Sequence, residues 1–538
     1  MIQKKWWTGL EVAVIVLFAI VPLFFSLPYR VNIFLSWEGA YRISSGEMPF
    51  RDFGLPLGGM YWVVPALFFK IFGAQMITLI KAQVFLNILS GLAFRSILKS
   101  LSVQPALRLA SILLYCVSFS FFNFWPWYNH TVIVYGFIAL AFVVKLTMSE
   151  NRKYALAWGL LGGLFTFFSF FTKQDGGGLT FAIGFILLAY NAWLSKKWVD
   201  LLTYTGGTIL FSTIAILIFS RYEFSYWFNH GQPPHNARIS VADIANEFFG
   251  GSQWLKFYFV VVILLAIARL KDWKTFIKDK RGVIFLLLTL GILCFAAIFQ
   301  VTSYTPDNSN IFFHSFAFVF IFSYILQYFS FNLNTVKTAA ILSLGVFFWW
   351  SHIYWNYMQR ILNISTGDSK IMKSATGENV VNKHNSIVHA DTFSIGQGNW
   401  ISINLPTLRK ITMPEPTVKG VERLLKMDIV KSNKDLKVLN MSELTFLAAE
   451  MPYKLEQGPR HPLWYHLGVG MFNRELAMFE SRIRENYYDI VLFEYIDDLN
   501  NFYPFSVRDL LKTQYKQVDE FFAPRNTNPG TIEVYIKK

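Results

Sequence analysis

The sequence predicts a polytopic α-helical membrane protein of about eleven spans, followed by a C-terminal extracytoplasmic α/β domain. Three observations carry this. Apolar runs long enough to cross a hydrocarbon core of roughly 30 Å recur from the N-terminus to about residue 357. Lys and Arg gather in alternate loops between those runs. Beyond Trp355 the composition changes, with charge returning and apolar stretches shortening to strand length. The bulk composition agrees: of 538 residues 54% are hydrophobic and only 15% charged, with a mean hydropathy of +0.37, whereas a soluble protein carries roughly 25% charged residues.

The spans are expected at about 8–28, 75–98, 107–122, 130–147, 154–172, 178–194, 201–220, 254–270, 282–300, 311–330 and 336–357. Lys4 and Lys5 precede the first apolar run, and no small-residue cleavage site follows it, so the segment reads as an uncleaved anchor with a cytoplasmic N-terminus. The loops then assigned to the cytoplasm hold Arg95, Lys99, Arg108, Lys145, Arg152, Lys153, Lys196, Lys197, the cluster from Arg269 to Arg281, and Lys337. The outer loops hold fewer: Arg30, Arg42, Arg51, Lys70, Lys173, Arg221 and Arg238. This asymmetry accounts for the formal net charge of +15 and makes nucleic acid an unneeded partner. Residues 58–73, apolar but short and interrupted by Pro65, suit an interfacial or re-entrant helix. The polar stretch 221–253 is long enough to serve as a lid.

An odd number of spans places the tail outside. Two domains are expected, residues 1–360 in the membrane with a first outer loop at 29–74, and residues 361–538 as the extracytoplasmic α/β domain. Lys437–Met441, Asp489–Phe493 and Thr531–Ile536 read as strands; Ser442–Met451, Asn473–Glu485 and Ser506–Thr513 carry helical spacing. No Gly-rich phosphate loop occurs in the tail. Cys116 and Cys294 both sit in apolar runs and read as buried thiols.

The chemistry concentrates in the first outer loop, where carboxylates, arginines and aromatics crowd beside a span: Glu38-Gly39-Ala40-Tyr41-Arg42, then Gly46-Glu47-Met48-Pro49-Phe50-Arg51-Asp52-Phe53. Charge at a bilayer boundary is costly unless solvated or paired, and is often kept for a task. The pattern continues through Pro56, Tyr61-Trp62 and Phe69-Lys70-Ile71-Phe72-Gly73. Over residues 30–100 it resembles the polyprenyl-phosphate-dependent glycosyltransferases of the GT-C class, which include the lipid A aminoarabinose transferases and protein O-mannosyltransferases. The resemblance implies an inner-membrane transferase that moves a sugar from a polyprenyl-phosphate carrier to an envelope glycan, lipid or protein acceptor at the outer face. The carrier sugar is a substrate, and no cofactor is implied.

Inverting glycosyl transfer needs a carboxylate to take the acceptor's proton and cations to neutralise the departing phosphate. Relatives usually place a further acid just before the motif, but Ser36 and Trp37 stand there. Glu38 is therefore the first choice as base and Asp52 the second, with loss of catalysis the remaining reading. An i,i+4 pair between Glu38 and Arg42, the purely structural alternative, would be worth only ~0.3 kcal/mol. For Asp52 a structural turn with Arg51 weighs equally. Arg42, Arg51, Lys81 and Lys173 are candidate phosphate ligands, Arg by its fork and Lys as a point charge; snorkelling to the interface is the alternative for each lysine. His314 resembles a family polar site facing the donor. No Asp-x-Asp occurs in the first loop, and His230 and His235 are not helically spaced, so no metal is expected. Phe121 to His130 forms an aromatic belt of the kind interfaces carry regardless of function. The rival functions are a lipid-glycan flippase, which would need mid-span charges and internal repeats, and a non-catalytic scaffold derived from a GT-C transferase.

Overall fold

The computed structural model describes residues 2–29, 33–117, 124–228, 241–251, 253–269, 273–303, 312–329, 331–351, 354–355, 400–463, 465, 472–496, 503–524 and 530–538. The expected domain boundary near residue 360, His230 and His235 fall outside these residues. So does the central part of the 221–253 loop; its flanks fold into a 3-10 turn at Phe224–Phe228 and a helix at Val241–Gly250.

Helices occupy all eleven expected span positions: α1 (Ile2–Ile20), α4 (Met76–Ser100), α5 (Pro105–Tyr115), α6 (Tyr128–Met148), α7 (Ala155–Phe170), α8 (Gln174–Ser195), α9 (Trp198–Phe219), α11 (Gln253–Arg269), α13 (Lys280–Ser303), α14 (Phe313–Ile325) and α15 (Val336–Trp349). Six are long and apolar enough to cross a membrane alone; α11 with the bent helix before it (α10, Val241–Gly250) makes up to seven. The helices α5, α7, α14 and α15 are shorter, so among the described residues six or seven crossings are supported by length and composition, not eleven. Between α1 and α4 lie α2 (Ile33–Ser44) and α3 (Met60–Phe72). At 13 residues α3 is about 20 Å long, too short for a crossing, as Pro65 inside it foreshadows. It ends at Gly73, whose φ of 84° lets its N–H return to Phe69 O at 2.8 Å.

One carboxylate stitches the far end of the bundle. Glu11 on α1, fully buried, receives Arg95 Nε of α4 at 2.6 Å and Arg108 Nε of α5 at 2.7 Å. A buried acid is tolerable only when paired this closely.

The C-terminal part is built on two sheets. The larger, in the order β4 (Val438–Met441), β5 (Ile490–Tyr495), β7 (Thr531–Lys537), β6 (Tyr515–Phe522), pairs β4 with β5 in parallel and the rest antiparallel. Side chains alternate across it as the pleat requires. Val438, Ile490, Leu492, Ile532 and Val534 face a core shared with the first loop. Leu439, Met441, Val491, Phe493 and Tyr535 face a second core covered by helices at Phe472–Arg484 and Phe505–Gln514. The expected helix at Ser442–Met451 is not formed: only a 3-10 turn, Thr445–Ala449, is present. Ser442 Oγ accepts Leu444 N–H at 3.2 Å and Glu494 accepts Glu443 N–H at 2.9 Å, capping the first donors of that short turn from outside.

The smaller sheet crosses between the two parts of the chain. β1 (Leu27–Pro28), immediately after the first span, runs parallel to β3 (Ile411–Pro414), which pairs antiparallel with β2 (Trp400–Ser402). Pro28 sits where its missing N–H costs nothing, on an edge strand. The shared core extends the same join, since Trp37, Phe53 and Trp62 pack in one cluster with Leu444, Phe446 and Leu463.

A second close approach fixes the first loop to the α7–α8 connection. A Cβ on Gly58 would lie 1.6 Å from the Phe171 carbonyl oxygen, and the obstacle is backbone that cannot rotate away. Gly58→Ala is therefore expected to lower stability by about 1–3 kcal/mol or more, read as an earlier thermal unfolding midpoint in detergent. A variant melting with the wild type would refute the contact.

Candidate active site between the first loop and the C-terminal sheet

Helix α2 presents two faces. Ser36 and Trp37 point into packing: Ser36 Oγ donates to Pro126 O at 2.5 Å, and Trp37 Nε1 donates to Ala74 O at 3.1 Å while its ring stacks on Tyr41. Both are fully buried. Gly39 leaves room for the Trp62 indole, whose Nε1 donates to Leu35 O at 3.0 Å. An acid at either of these positions would be buried in packing rather than set at the cavity described below.

Glu38 and Arg42 share the other face, one turn apart. The Arg42 guanidinium is 1% exposed and donates to Glu38 Oε1 at 2.9 Å, Glu47 Oε2 at 2.8 Å and the Glu456 carbonyl at 3.0 Å. Helix α2 ends by a turn at Gly46 (φ 95°), with Glu47 N–H returning to Arg42 O at 3.0 Å, which swings Glu47 back toward the guanidinium. Glu38 keeps 12% of its side chain exposed, and its Oε2 has no hydrogen-bond partner among the described residues. Burial pushes the Glu38 carboxyl above its ordinary range, Arg42 draws it back and the Glu47 charge adds to the rise.

The C-terminal part closes over this face. Gly458 N–H reaches Asp52 O at 2.8 Å, Gly54 N–H reaches His461 O at 2.7 Å and Leu463 N–H reaches Gly54 O at 2.9 Å. Gln457 Nε2 donates to Glu47 Oε1 at 3.1 Å and Thr445 Oγ1 to Phe34 O at 3.3 Å, and the Tyr29 hydroxyl bonds the Glu443 carbonyl. Enclosed between them is a cavity of about 100 Å³, lined by Glu38 and Arg42 on one side and by Asn440, Ser442, Tyr453, Glu456, His461 and neighbouring apolar residues on the other. The Glu456 carboxylate is held by the Arg482 guanidinium and by the Tyr488 hydroxyl at 3.1 Å.

The sequence-predicted residues divide. Glu38 and Arg42 line the cavity; Asp52, Arg51, Lys81, Lys173 and His314 do not. Asp52 anchors its own turn, accepting Met48 N–H at 2.7 Å, and is forked by Arg51 through Nε (3.0 and 2.9 Å) and Nη2 (2.6 Å). Although burial favours the neutral acid, these bonds prevail and hold its carboxyl below the usual range, the reverse of what a base needs. Lys173, at the start of α8, pairs with Asp175 at 3.0 Å and lies over the Phe299 ring at 4.7 Å. Lys81, on α4, lies over the Phe72 ring at 4.6 Å with no carboxylate among the described residues in ion-pair range. His314 is buried in an aromatic nest, its Nδ1 3.0 Å from the Tyr258 hydroxyl and its ring 4.3 Å from that of Trp350. Sequence reasoning missed His461, Tyr453 and Glu456, which carry no local motif and meet Glu38 only through the fold.

His461 offers a pH test. Burial, reinforced by the nearby Arg42 charge, pushes its imidazole down to about 3. The unfolded chain takes up a proton near pH 6.5 that the folded one refuses, so stability rises with pH across that window and falls on acidification from about 6.5 toward 3. His461→Gln is expected to flatten that part of the unfolding midpoint against pH; an unchanged slope would remove the histidine from the account.

No family model matches the sequence, and no curated protein matches it. Among solved structures the chain is similar to ArnT from Cupriavidus metallidurans in the apo state, at 11% identity and TM-score 0.49 over 98% of each chain. ArnT bound to undecaprenyl phosphate is similar at 11% identity and TM-score 0.45, again over 98% of each. The archaeal oligosaccharyltransferase AglB from Archaeoglobus fulgidus, in complex with an inhibitory peptide and a dolichol-phosphate, is similar at 11% identity and TM-score 0.37, over 68% of this chain and 57% of that one.

Proposed function

We propose that this chain is an integral-membrane glycosyltransferase that moves a sugar, with inversion, from a polyprenyl-phosphate carrier to a hydroxyl or amine of an envelope glycan, lipid or protein at the extracytoplasmic face. The observation that carries the reading is Glu38: a carboxylate with raised proton affinity and an oxygen unclaimed among the described residues, fixed by a buried arginine at a cavity between the first loop and the C-terminal sheet. In the proposed step Glu38 takes the acceptor's proton as the acceptor oxygen or nitrogen forms its bond to the sugar's anomeric carbon. The carbon–oxygen bond to the phosphate breaks, and the lipid phosphate leaves with the electron pair.

Arg42 is then a positioning residue. Engaged through Nε and Nη1 by two carboxylates and a carbonyl, it holds Glu38 in place. Arg51 and Lys173 are likewise engaged by Asp52 and Asp175. Lys81, without a carboxylate partner among the described residues, is the cation we assign to the departing phosphate. The test is transfer itself. Detergent-purified protein given radiolabelled polyprenyl-phosphate sugars and a membrane-glycan extract is expected to label an acceptor with inverted anomeric configuration. Bound donor with no turnover across varied acceptors would overturn the reading in favour of a scaffold.

A further inference from the structure

At the end of the bundle remote from Glu38, an open cavity of about 900 Å³ lies among the C-terminal ends of α4 and α11, the short helix α12 (Trp273–Lys278), the start of α13 and the segment after α14. The 25 residues of α4 separate it from the first-loop side by about 37 Å. Among the described residues four cations line it, Arg269, Lys278, Lys280 and Arg281, against a single carboxylate, Asp279. That carboxylate is already engaged, by Arg269 Nη1 at 3.3 Å and by the Gly282 N–H at 3.1 Å. Among the described residues no carboxylate lies within ion-pair range of Lys278, Lys280 or Arg281. Phe329 and Phe331, 55% and 47% exposed with rings 6.0 Å apart, complete the wall. The Arg269 guanidinium lies 4.4 Å over the Tyr324 ring.

We infer that this cavity binds the phosphate-bearing headgroup of an anionic phospholipid, in the leaflet opposite the candidate active site. The volume falls within the range of small-ligand pockets, roughly 300–1,000 Å³. Unbalanced cations at helix ends attract anionic headgroups, most strongly in a pocket between membrane helices. The exposed aromatic pair decides between a lipid and a soluble anion. Free phosphate gains nothing from Phe329 and Phe331, whereas a lipid lays its glycerol and first methylenes against them while Lys278 and Arg281 meet the phosphate. This site does not depend on the reaction proposed above.

The experiment uses the full chain, delipidated in neutral detergent, titrated calorimetrically with short-chain phosphatidylglycerol, with phosphatidylcholine of equal chain length and with inorganic phosphate. Saturable binding of phosphatidylglycerol alone is expected. Each lost cation should weaken it by about fivefold, so Lys278→Gln with Arg281→Gln should weaken it by about twentyfold or more. The charge-conserving pair Lys278→Arg with Arg281→Lys should retain it. The unliganded melting midpoint reports folding; if the double variant does not fold, the single variants carry the comparison at about fivefold each. Phosphatidylglycerol binding unchanged by these substitutions would overturn the assignment, as would inorganic phosphate binding as tightly as the lipid.

Discussion

Glu38→Gln is expected to lower the transfer rate by about 10²–10⁴-fold while leaving donor affinity within twofold or so. The substitution keeps the shape of the side chain, and its amide oxygen can still accept the Arg42 Nε–H that Glu38 Oε1 now accepts at 2.9 Å. Arg42 also retains Glu47 at 2.8 Å as counter-charge, so the fold is not asked to bury a bare guanidinium. What disappears is the basic oxygen. Because Glu38 is held above the ordinary carboxylate range, chiefly by burial, wild-type turnover should fall on the acid side as the carboxyl protonates, and the residual activity of the variant should lack that limb. Asp52→Asn should behave differently: its carboxylate is committed to Met48 N–H and Arg51 and held in the low range, so its loss loosens the turn more than it slows chemistry. Full turnover in Glu38→Gln, with Asp52→Asn inactive, would move the base to Asp52.

The contrast between these two acids shows where sequence reading stops. Glu38 and Arg42 were legible as a pair because helical spacing alone puts residues four apart on one face. Their burial was not, since it comes from Glu456 and His461, some 414 residues away from Arg42 along the chain, and no local pattern reports a contact of that span. The apolar helices were legible because period and length act within one segment, and β4, β5 and β7 because apolar and β-branched residues dominate each short run. Strand β6 was hidden: as the edge of its sheet it exposes Lys516, Gln517 and Glu520 and carries a register shift at Gln517/Asp519, devices that protect an edge and erase alternation. β1 was invisible for another reason, since two residues carry no period and are a strand only because β3 is there to receive them. Ser36 and Trp37 read in sequence as a missing acid; in the fold they are the packing face of α2.

Arg42→Ala should be the most damaging change to stability in the first loop, at about 3–5 kcal/mol. The guanidinium, 1% exposed, neutralises Glu38 and Glu47 and also donates to the Glu456 carbonyl across the join to the C-terminal part. Without it two carboxylates face each other in a closed space, which costs far more than the loss of an exposed helical pair. Arg42→Lys restores the charge but not the fork that serves three acceptors at once, so an intermediate thermal midpoint is expected. The decisive comparison is the double variant. If the penalty is charge burial, adding Glu38→Gln to Arg42→Ala should return roughly 0.5–3 kcal/mol, because the second change removes one of the stranded charges. Strict additivity would mean that Arg42 matters only as a bridge to Glu456, and that Glu38 keeps its place without it. The same outcome would separate Glu38's position from its protonation, leaving the acid limb of the rate profile to burial alone.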